Sequence, residues 1–299
     1  MGLLDGKVAI VTGSGQGIGR AEALLLASEG AKVVVNDISA ARAKEGEKHP
    51  AEEVVEAIKA GGSDAVVNTS DVSSWSEAKD MVDQAIDTFG QLDILVNNAG
   101  ITRDKMSFNM DESDWDDVIR VHLKGHFAPA RHAAVYWRGR AKAGESVTGR
   151  IINTASESGL FGNPGQGNYA AAKGGIASLT NVLARELGRY GVTVNAISPR
   201  ARTAMTEDVF PEMAKPEDGF DVFDPRNVAQ LVTYLASDEA KDVNGQNFIV
   251  FGGNIWVMGG YHPVGQLTRD SMWSVKELID AQGELFKDAP SSIAPFSIF

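Results

Sequence analysis

Residues 7–20, KVAIVTGSGQGIGR, join an apolar β-branched run to a glycine-rich turn and the opening of a helix. The run 7–11 is apolar on both alternating faces, the pattern of a strand covered on both sides. The turn places Gly13, then three residues, then Gly17 and Gly19, with Ser14, Gln16 and Ile18 between them. G-x-G-x-x-G fits in no register, yet the same physics applies. Glycines let a backbone turn tightly and approach a pyrophosphate. A helix starting near Gly17 points its free N–H groups and positive dipole end at that anion.

Outward from this unit, six further short runs alternate with helix-like segments. The runs are KVVVN 32–36, DAVVN 64–68, LDILVN 92–97, RIINT 150–154, VTVNAI 192–197 and FIVF 248–251. The helical segments are 17–29, 51–60, 74–88, 113–138, 168–189 and 225–236. The alternation predicts an α/β fold: a single Rossmann-type doubly wound parallel sheet of about seven strands, with helices on both faces. No repeat or low-complexity linker divides the chain. One catalytic domain is expected over 1–260, followed by a C-terminal extension, 261–299, with an amphipathic stretch near 274–287. The extension is too apolar for a free solvated arm, so it is expected to dock on the domain or on a neighbouring subunit.

Composition narrows the function. The 299 residues carry a net charge of −12, which argues against nucleic-acid and anionic-membrane partners. There is no cysteine, so disulfides, thiol catalysis and thiolate metal sites are excluded. The N-terminal stretch has an acid where a signal peptide is basic, and its apolar run is too short to span a bilayer. A cytoplasmic protein is expected. His122 and His126 stand four apart without the neighbouring acid of a metal-binding helix, so no metal is expected.

Asp37 ends the second strand, 18 residues beyond Gly19. A carboxylate there accepts hydrogen bonds from the adenosine ribose hydroxyls and repels a 2′-phosphate, which favours NAD over NADP. In NYAAAKGG, 168–175, Tyr169 and Lys173 are neighbours on one helix face. By itself this pair favours the plainer reading of a surface tyrosine beside a snorkelling lysine.

With NNAG at 97–100, the set of motifs resembles the short-chain dehydrogenase/reductase family over about residues 5–258. A narrower likeness, carried by NNAGITRDKM, VHLKGHF and RTAMTEDVFPE, is to (3R)-hydroxyacyl-CoA dehydrogenase domains of peroxisomal multifunctional enzymes and their stand-alone bacterial relatives. The resemblance implies Ser156, Tyr169 and Lys173 as the catalytic set. It also implies that Asp71 and Val72 contact the adenine, and that Asn98, Ala99 and Gly100 steady the sheet beside the cofactor. Two positions depart from the wider pattern: His122 stands where most members have Asn, and Pro199-Arg200 where most have Pro-Gly. His122 is read as a packed side chain without acid–base work.

These residues suit hydride exchange between NAD and a secondary alcohol. Tyr169 is the general base in oxidation and the acid in reduction. Lys173 and the cofactor's positive ring are expected to lower its pKa. Lys173 also serves the nicotinamide ribose, and Ser156 holds the substrate oxygen. Two alternatives compete, a 3-oxoacyl-carrier-protein reductase and a non-catalytic NAD-binding sensor. The segment 203–224 offers Met205, Val209, Phe210, Met213, Phe220 and Phe223 as an apolar lid, which points to a bulky small-molecule substrate, an acyl-CoA or a steroid alcohol. Its acids repel CoA phosphates, for which Arg103, Lys105 and Arg202 are the expected partners. The family likeness implies a homodimer or homotetramer.

Overall fold

Valine, isoleucine, leucine and alanine at successive positions leave the strands without a polar face, so both faces of the sheet have to be covered by helices. In the computed structural model, which describes residues 2–38, 48–203, 213–288, 290, 292 and 294, this is what the chain builds. The order of elements is β1 (Val8–Thr12), α1 (Gly17–Ser28), β2 (Lys32–Asn36), α2 (Pro50–Ala60), β3 (Ala65–Asn68), α3 (Trp75–Phe89) and β4 (Ile94–Asn97). There follow α4 (Glu112–Ile119), α5 (Gly125–Lys142), β5 (Arg150–Thr154), α6 (Glu157–Phe161), α7 (Gly167–Leu187), β6 (Thr193–Pro199), α8 (Pro225–Ala236), β7 (Asn247–Phe251), β8 (Asn254–Met258) and α9 (Val275–Leu285). The masses of the chain fall into two compact units, Met1–Met258 and Gly259–Phe299.

In the first unit the sheet order is β3-β2-β1-β4-β5-β6-β7-β8. All neighbours run parallel except β7 and β8, which are antiparallel with Phe251 opposite Asn254 across the Gly252-Gly253 turn. The seven runs read from the sequence are the seven parallel strands. β8 is added as an edge strand, with Ile255, Trp256 and Val257 exposed. Alternation within each strand splits the core in two. Ala9 and Val11 face a layer containing Leu26 of α1, Val54 of α2 and Val232 of α8. Val8 and Ile10 face Met81 of α3, Trp137 of α5 and Leu183 of α7.

The chain winds outward from β1 through β2 to β3, then returns to place β4 on the other side of β1. The crevice at the carboxyl ends of β1 and β4 is therefore the topological switch point at which such sheets bind ligands. The expected long helix 113–138 is interrupted by a π-helical turn at Arg120–Lys124, between α4 and α5. In the second unit, α9 opens with a capping box of Ser274 and Glu277, and Arg269 pairs with Glu277 at 2.9 Å. No described helix is long and apolar enough to cross a membrane.

Candidate active site

The glycine loop follows β1 directly, and its packing explains its residues. Gly13 has φ +63, and a Cβ on it would lie 2.8 Å from the Ala99 Cα. A Cβ on Gly19 would lie 2.5 Å from both Asn98 Nδ2 and the Gly13 carbonyl oxygen. Larger residues at either position would push the loop off its neighbours. Ser14 is buried and turned inward, its Oγ donating to the Val11 carbonyl at 2.8 Å, and Ile18 packs against the core. Gln16 precedes α1 without a side-chain cap, and the first turn of that helix has no acid. The N-terminal N–H groups and the dipole thus face the crevice uncancelled, an arrangement that fits a pyrophosphate.

Asp37 stands at the loop, its Oδ2 accepting the Gly15 N–H at 2.9 Å. Gly15, Gln16 and Gly17 line a cleft of about 690 Å³ together with Arg20, Lys48, Pro50 and Glu53. Arg20 and Lys48 are cations that the sequence reading did not bring here, and Lys48 is already paired with Glu56 at 2.7 Å. The segment with Arg42, the first basic residue after Asp37, lies outside the described residues.

The NNAG turn after β4 is stitched to β1. Asn98 Nδ2 donates to the Thr12 and Gly13 carbonyls at 2.9 and 3.1 Å, and Thr12 Oγ1 accepts the N–H groups of Asn98 and Ala99. Gly100 lies against His122, whose Cε1 would be 2.3 Å from an added Cβ. Asp71 follows β3, and its carboxylate accepts two bonds from Ser73 and pairs with Arg120 at 3.0 Å. Burial pushes its pKa up, but Ser73 and Arg120 outweigh that and hold it below the usual range. Val72 beside it is buried and packs toward Gly125.

Ser156 leaves the end of β5 as the N-cap of α6, its Oγ accepting the Ser158 N–H at 3.2 Å. Tyr169 and Lys173 sit one turn apart on α7, with Lys173 Nζ 5.5 Å from the phenol ring centroid. Lys173 is 2% exposed and donates to the Thr154 carbonyl at 2.5 Å, which ties it to the β5 end that carries Ser156. The structure thus brings Ser156, Tyr169 and Lys173 together at the crevice from two elements.

Their electrostatics differ from the sequence expectation in one respect. The Tyr169 pKa is raised, not lowered: burial pushes it up to about 12, against a hydrogen bond with Ser156, and the nearby Asp104 adds to the rise. Burial also pushes Lys173 down to about 7, so the lysine brings less charge to the phenol than its ordinary pKa implies. Desolvation dominates both shifts, and the lowering of the phenol that does act comes from Ser156 and not from Lys173.

His122 is buried in the π turn, its Nε2 2.7 Å from the Ile101 carbonyl oxygen and its ring edge-on to Tyr169 at 5.1 Å. Burial, with Lys173 nearby, pushes its pKa down to about 3, so the imidazole stays neutral. No cluster of three or more His, Asp or Glu suited to a metal ion occurs among the described residues.

Several residues around the site were given no role from sequence. Asn168 is fully buried and holds the loop before α4 by donating to the Arg103 and Asp114 carbonyls at 3.1 and 2.9 Å. Gln166 joins Ser158, Asn163 and Asp104. Glu157 and Arg200 form a bidentate pair beside Ser156. Apart from Asn163, three residues from Gln166, their partners lie 8 to 65 residues away in the chain, so no local pattern marks them.

The expected phosphate partners are mostly engaged. Lys105 pairs with Asp111 and Asp114 at 2.9 and 2.6 Å, and Arg202 pairs with Asp221. The Arg103 guanidinium donates to the Thr102 carbonyl at 2.9 Å. Of the expected lid, Met205, Val209 and Phe210 lie outside the described residues. Met213 is buried, Phe223 half-buried and Phe220 65% exposed.

Comparison with known proteins agrees with this geometry. The profile of the family described as short chain dehydrogenase matches residues 7–214. The chain is 50% identical over 283 residues to the hydroxyacyl-CoA dehydrogenase ChsB1 of Mycobacterium tuberculosis, covering 92% of this chain and 87% of that protein. It is 41% identical over 252 residues to the 3-oxoacyl-[acyl-carrier-protein] reductase FabG of Staphylococcus aureus, covering 83% and 97%. A crystal structure of a short chain dehydrogenase from Mycobacterium avium superposes with TM-score 0.90 at 48% identity, over 99% of this chain and 100% of that one. The protein is an oxidoreductase acting on CH–OH groups with a nicotinamide cofactor, NAD(P). The chain belongs to the short-chain dehydrogenase/reductase family.

Proposed function

We propose that this protein is an NAD-dependent dehydrogenase that oxidises the secondary hydroxyl of a bulky apolar substrate, a 3-hydroxyacyl-CoA or a hydroxysteroid. The carrying observation is the convergence of Ser156, Tyr169 and buried Lys173 at the carboxyl edge of the sheet, next to a glycine cradle that a Cβ would fill. The relative from Mycobacterium tuberculosis, named a hydroxyacyl-CoA dehydrogenase, supports the substrate class. When bound, NAD supplies the hydride acceptor and a positive charge.

Gly13, Ser14, Gln16, Gly17, Ile18 and Gly19 would hold the pyrophosphate, Asp37 the adenosine ribose, Asp71 and Val72 the adenine, and Asn98, Ala99 and Gly100 the inner wall. Ser156 Oγ binds the substrate oxygen. Tyr169 Oη takes the hydroxyl proton in oxidation and returns it in reduction. Lys173 Nζ, held by Thr154, would donate to the nicotinamide ribose and, in its charged form, favour phenolate at Tyr169.

The choice of NAD over NADP rests on Asp37, whose carboxylate is fixed by Gly15 where a 2′-phosphate would come. Asp37→Ala should relax the preference toward NADP. A wild type that already prefers NADP by kcat/KM would show that Asp37 has been misread. A second reading is favoured by the high Tyr169 pKa, which suits an acid: reduction of a 3-oxoacyl carrier-protein substrate, as the name of the Staphylococcus aureus relative describes. The cofactor preference separates the two readings. We infer a cytoplasmic homodimer or homotetramer from the family likeness.

The direct test of the chemistry is Tyr169→Phe. It should leave NAD binding nearly intact while cutting kcat by at least ~100-fold, the scale of a lost general acid–base. Near wild-type kcat with the chemical step rate-limiting would remove Tyr169 from the mechanism.

A further inference from the structure

Arg200 is the first residue beyond β6, and it does three things at once. Its backbone N–H extends the β6–β7 ladder by donating to the Val250 carbonyl at 3.0 Å. Its Nε and Nη2 donate to Glu157 Oε2 and Oε1 at 2.6 and 2.8 Å, with both side chains at or below 10% exposure. Its guanidinium lies over the Phe251 ring at 4.3 Å and the Trp256 ring at 5.5 Å, and those two rings pack edge to face at 5.3 Å. A planar fork with bidentate geometry and an aromatic platform has little rotational freedom left.

Glu157 is the first residue of α6 and follows Ser156 directly. On its other side the same turn is held by Ser158 Oγ donating to Gln166 Oε1 at 2.7 Å and by Gly159, whose added Cβ would be 2.4 Å from the Gly174 nitrogen. The serine turn is therefore gripped from α7 on one flank and from the β6–β7–β8 edge on the other. We infer that the Glu157–Arg200 pair, seated on Phe251 and Trp256, is a positioning device that sets Ser156 Oγ against Tyr169 and the substrate oxygen. This deepens the proposed function and rests on its assignment of Ser156.

The groups that face Tyr169 are Ser156, Lys173, Asp104 and His122. The hydrogen bond with Ser156 is the one that lowers the phenol's pKa. If Ser156 drifts, that lowering is lost, and the limb over which oxidation gains activity with pH moves to higher pH.

The experiment compares Glu157→Ala, Arg200→Ala and the double variant by Tm, NAD dissociation constant, kcat and the pH profile of oxidation. Each single change leaves one buried charge without its partner, so Tm should fall; the double change removes both charges and should regain Tm. A positioning role predicts that the double variant nonetheless keeps kcat at least ~10-fold below wild type, with the limb displaced upward and NAD affinity within about twofold. Wild-type kcat and limb in the double variant would overturn the inference, as would a loss of NAD affinity in step with kcat. Arg200→Lys keeps the charge but not the fork, so it should fold, show the same displacement with a smaller loss of kcat, and overturn the inference if its profile is wild type. Ser156→Ala separates this claim from the one beneath it. Retained turnover there overturns both, whereas lost turnover beside a wild-type double variant overturns the positioning role alone.

Discussion

Burial drives Tyr169 and Lys173 toward the same condition, neutrality, by moving the phenol up to about 12 and the amine down to about 7. A tyrosine that holds its proton this firmly is an available acid across neutral pH and a scarce base. Reduction should therefore stay nearly level up to the alkaline range, while oxidation should keep rising with pH. Initial rates in both directions from pH 6 to 10 check this; an oxidation rate that levels off near neutrality would contradict it. Glu22 on α1 shows the same force away from the site. Burial raises its pKa to about 8, and neither carboxyl oxygen has a partner among the described residues. The folded state then holds the proton more tightly than the unfolded chain, so Glu22 costs nothing at low pH and its penalty grows from about pH 4.5 to 8. At about 1.4 kcal/mol per pKa unit, that penalty is on the order of 3 kcal/mol at neutral pH. Glu22→Gln should flatten the decline of Tm between pH 5 and 8, and an unchanged pH dependence would show that the carboxyl is solvated. The four-residue spacing identified Tyr169 and Lys173 as partners. It does not carry desolvation, which depends on side chains brought from α5, β5 and the loop after β4.

At the scale of elements, α6 and α7 form the contact on which the site's geometry depends. Gly159 lies so close to the α7 backbone that an added Cβ would stand 2.6 Å from the Lys173 carbonyl carbon. Gly159→Ala should separate the two helices, at about 1–3 kcal/mol for overpacking a filled contact. Thermal melts and turnover should both fall, and a variant with wild-type Tm and kcat would show that the helices have room to adjust. The long strands and helices were legible because each carries its own period: all seven parallel strands and helices α1, α2, α3, α7 and α8 follow from local apolar patterns. The π turn at Arg120–Lys124 was not, because its His122 is held by Ile101, a partner 21 residues earlier. β8 escaped for another reason. Its residues face solvent, so no buried pattern marks them, and only the Gly252-Gly253 pair signals the hairpin.

For the whole molecule, the switch point between β1 and β4 explains why residues from five loops meet; strand–helix alternation predicted the doubly wound sheet but not the strand order that creates this point. Cofactor choice, substrate and assembly depend on surfaces that alternation does not describe. α9 has no buried residue and exposes Val275, Leu278 and Ile279, an apolar row suited to a neighbouring subunit. Truncation after Gly260 should lower the number of subunits per particle, measured by light scattering, and an unchanged number would assign the extension another role. The chain-length dependence of oxidation tests the central claim most directly. With NAD and 3-hydroxyacyl-CoA substrates from four to ten carbons, kcat/KM should rise by about fourfold per buried methylene, from roughly 0.8 kcal/mol each. Equal kcat/KM at four and ten carbons, or no NADH formed with any of these or with a hydroxysteroid, would contradict a dehydrogenase of bulky apolar alcohols.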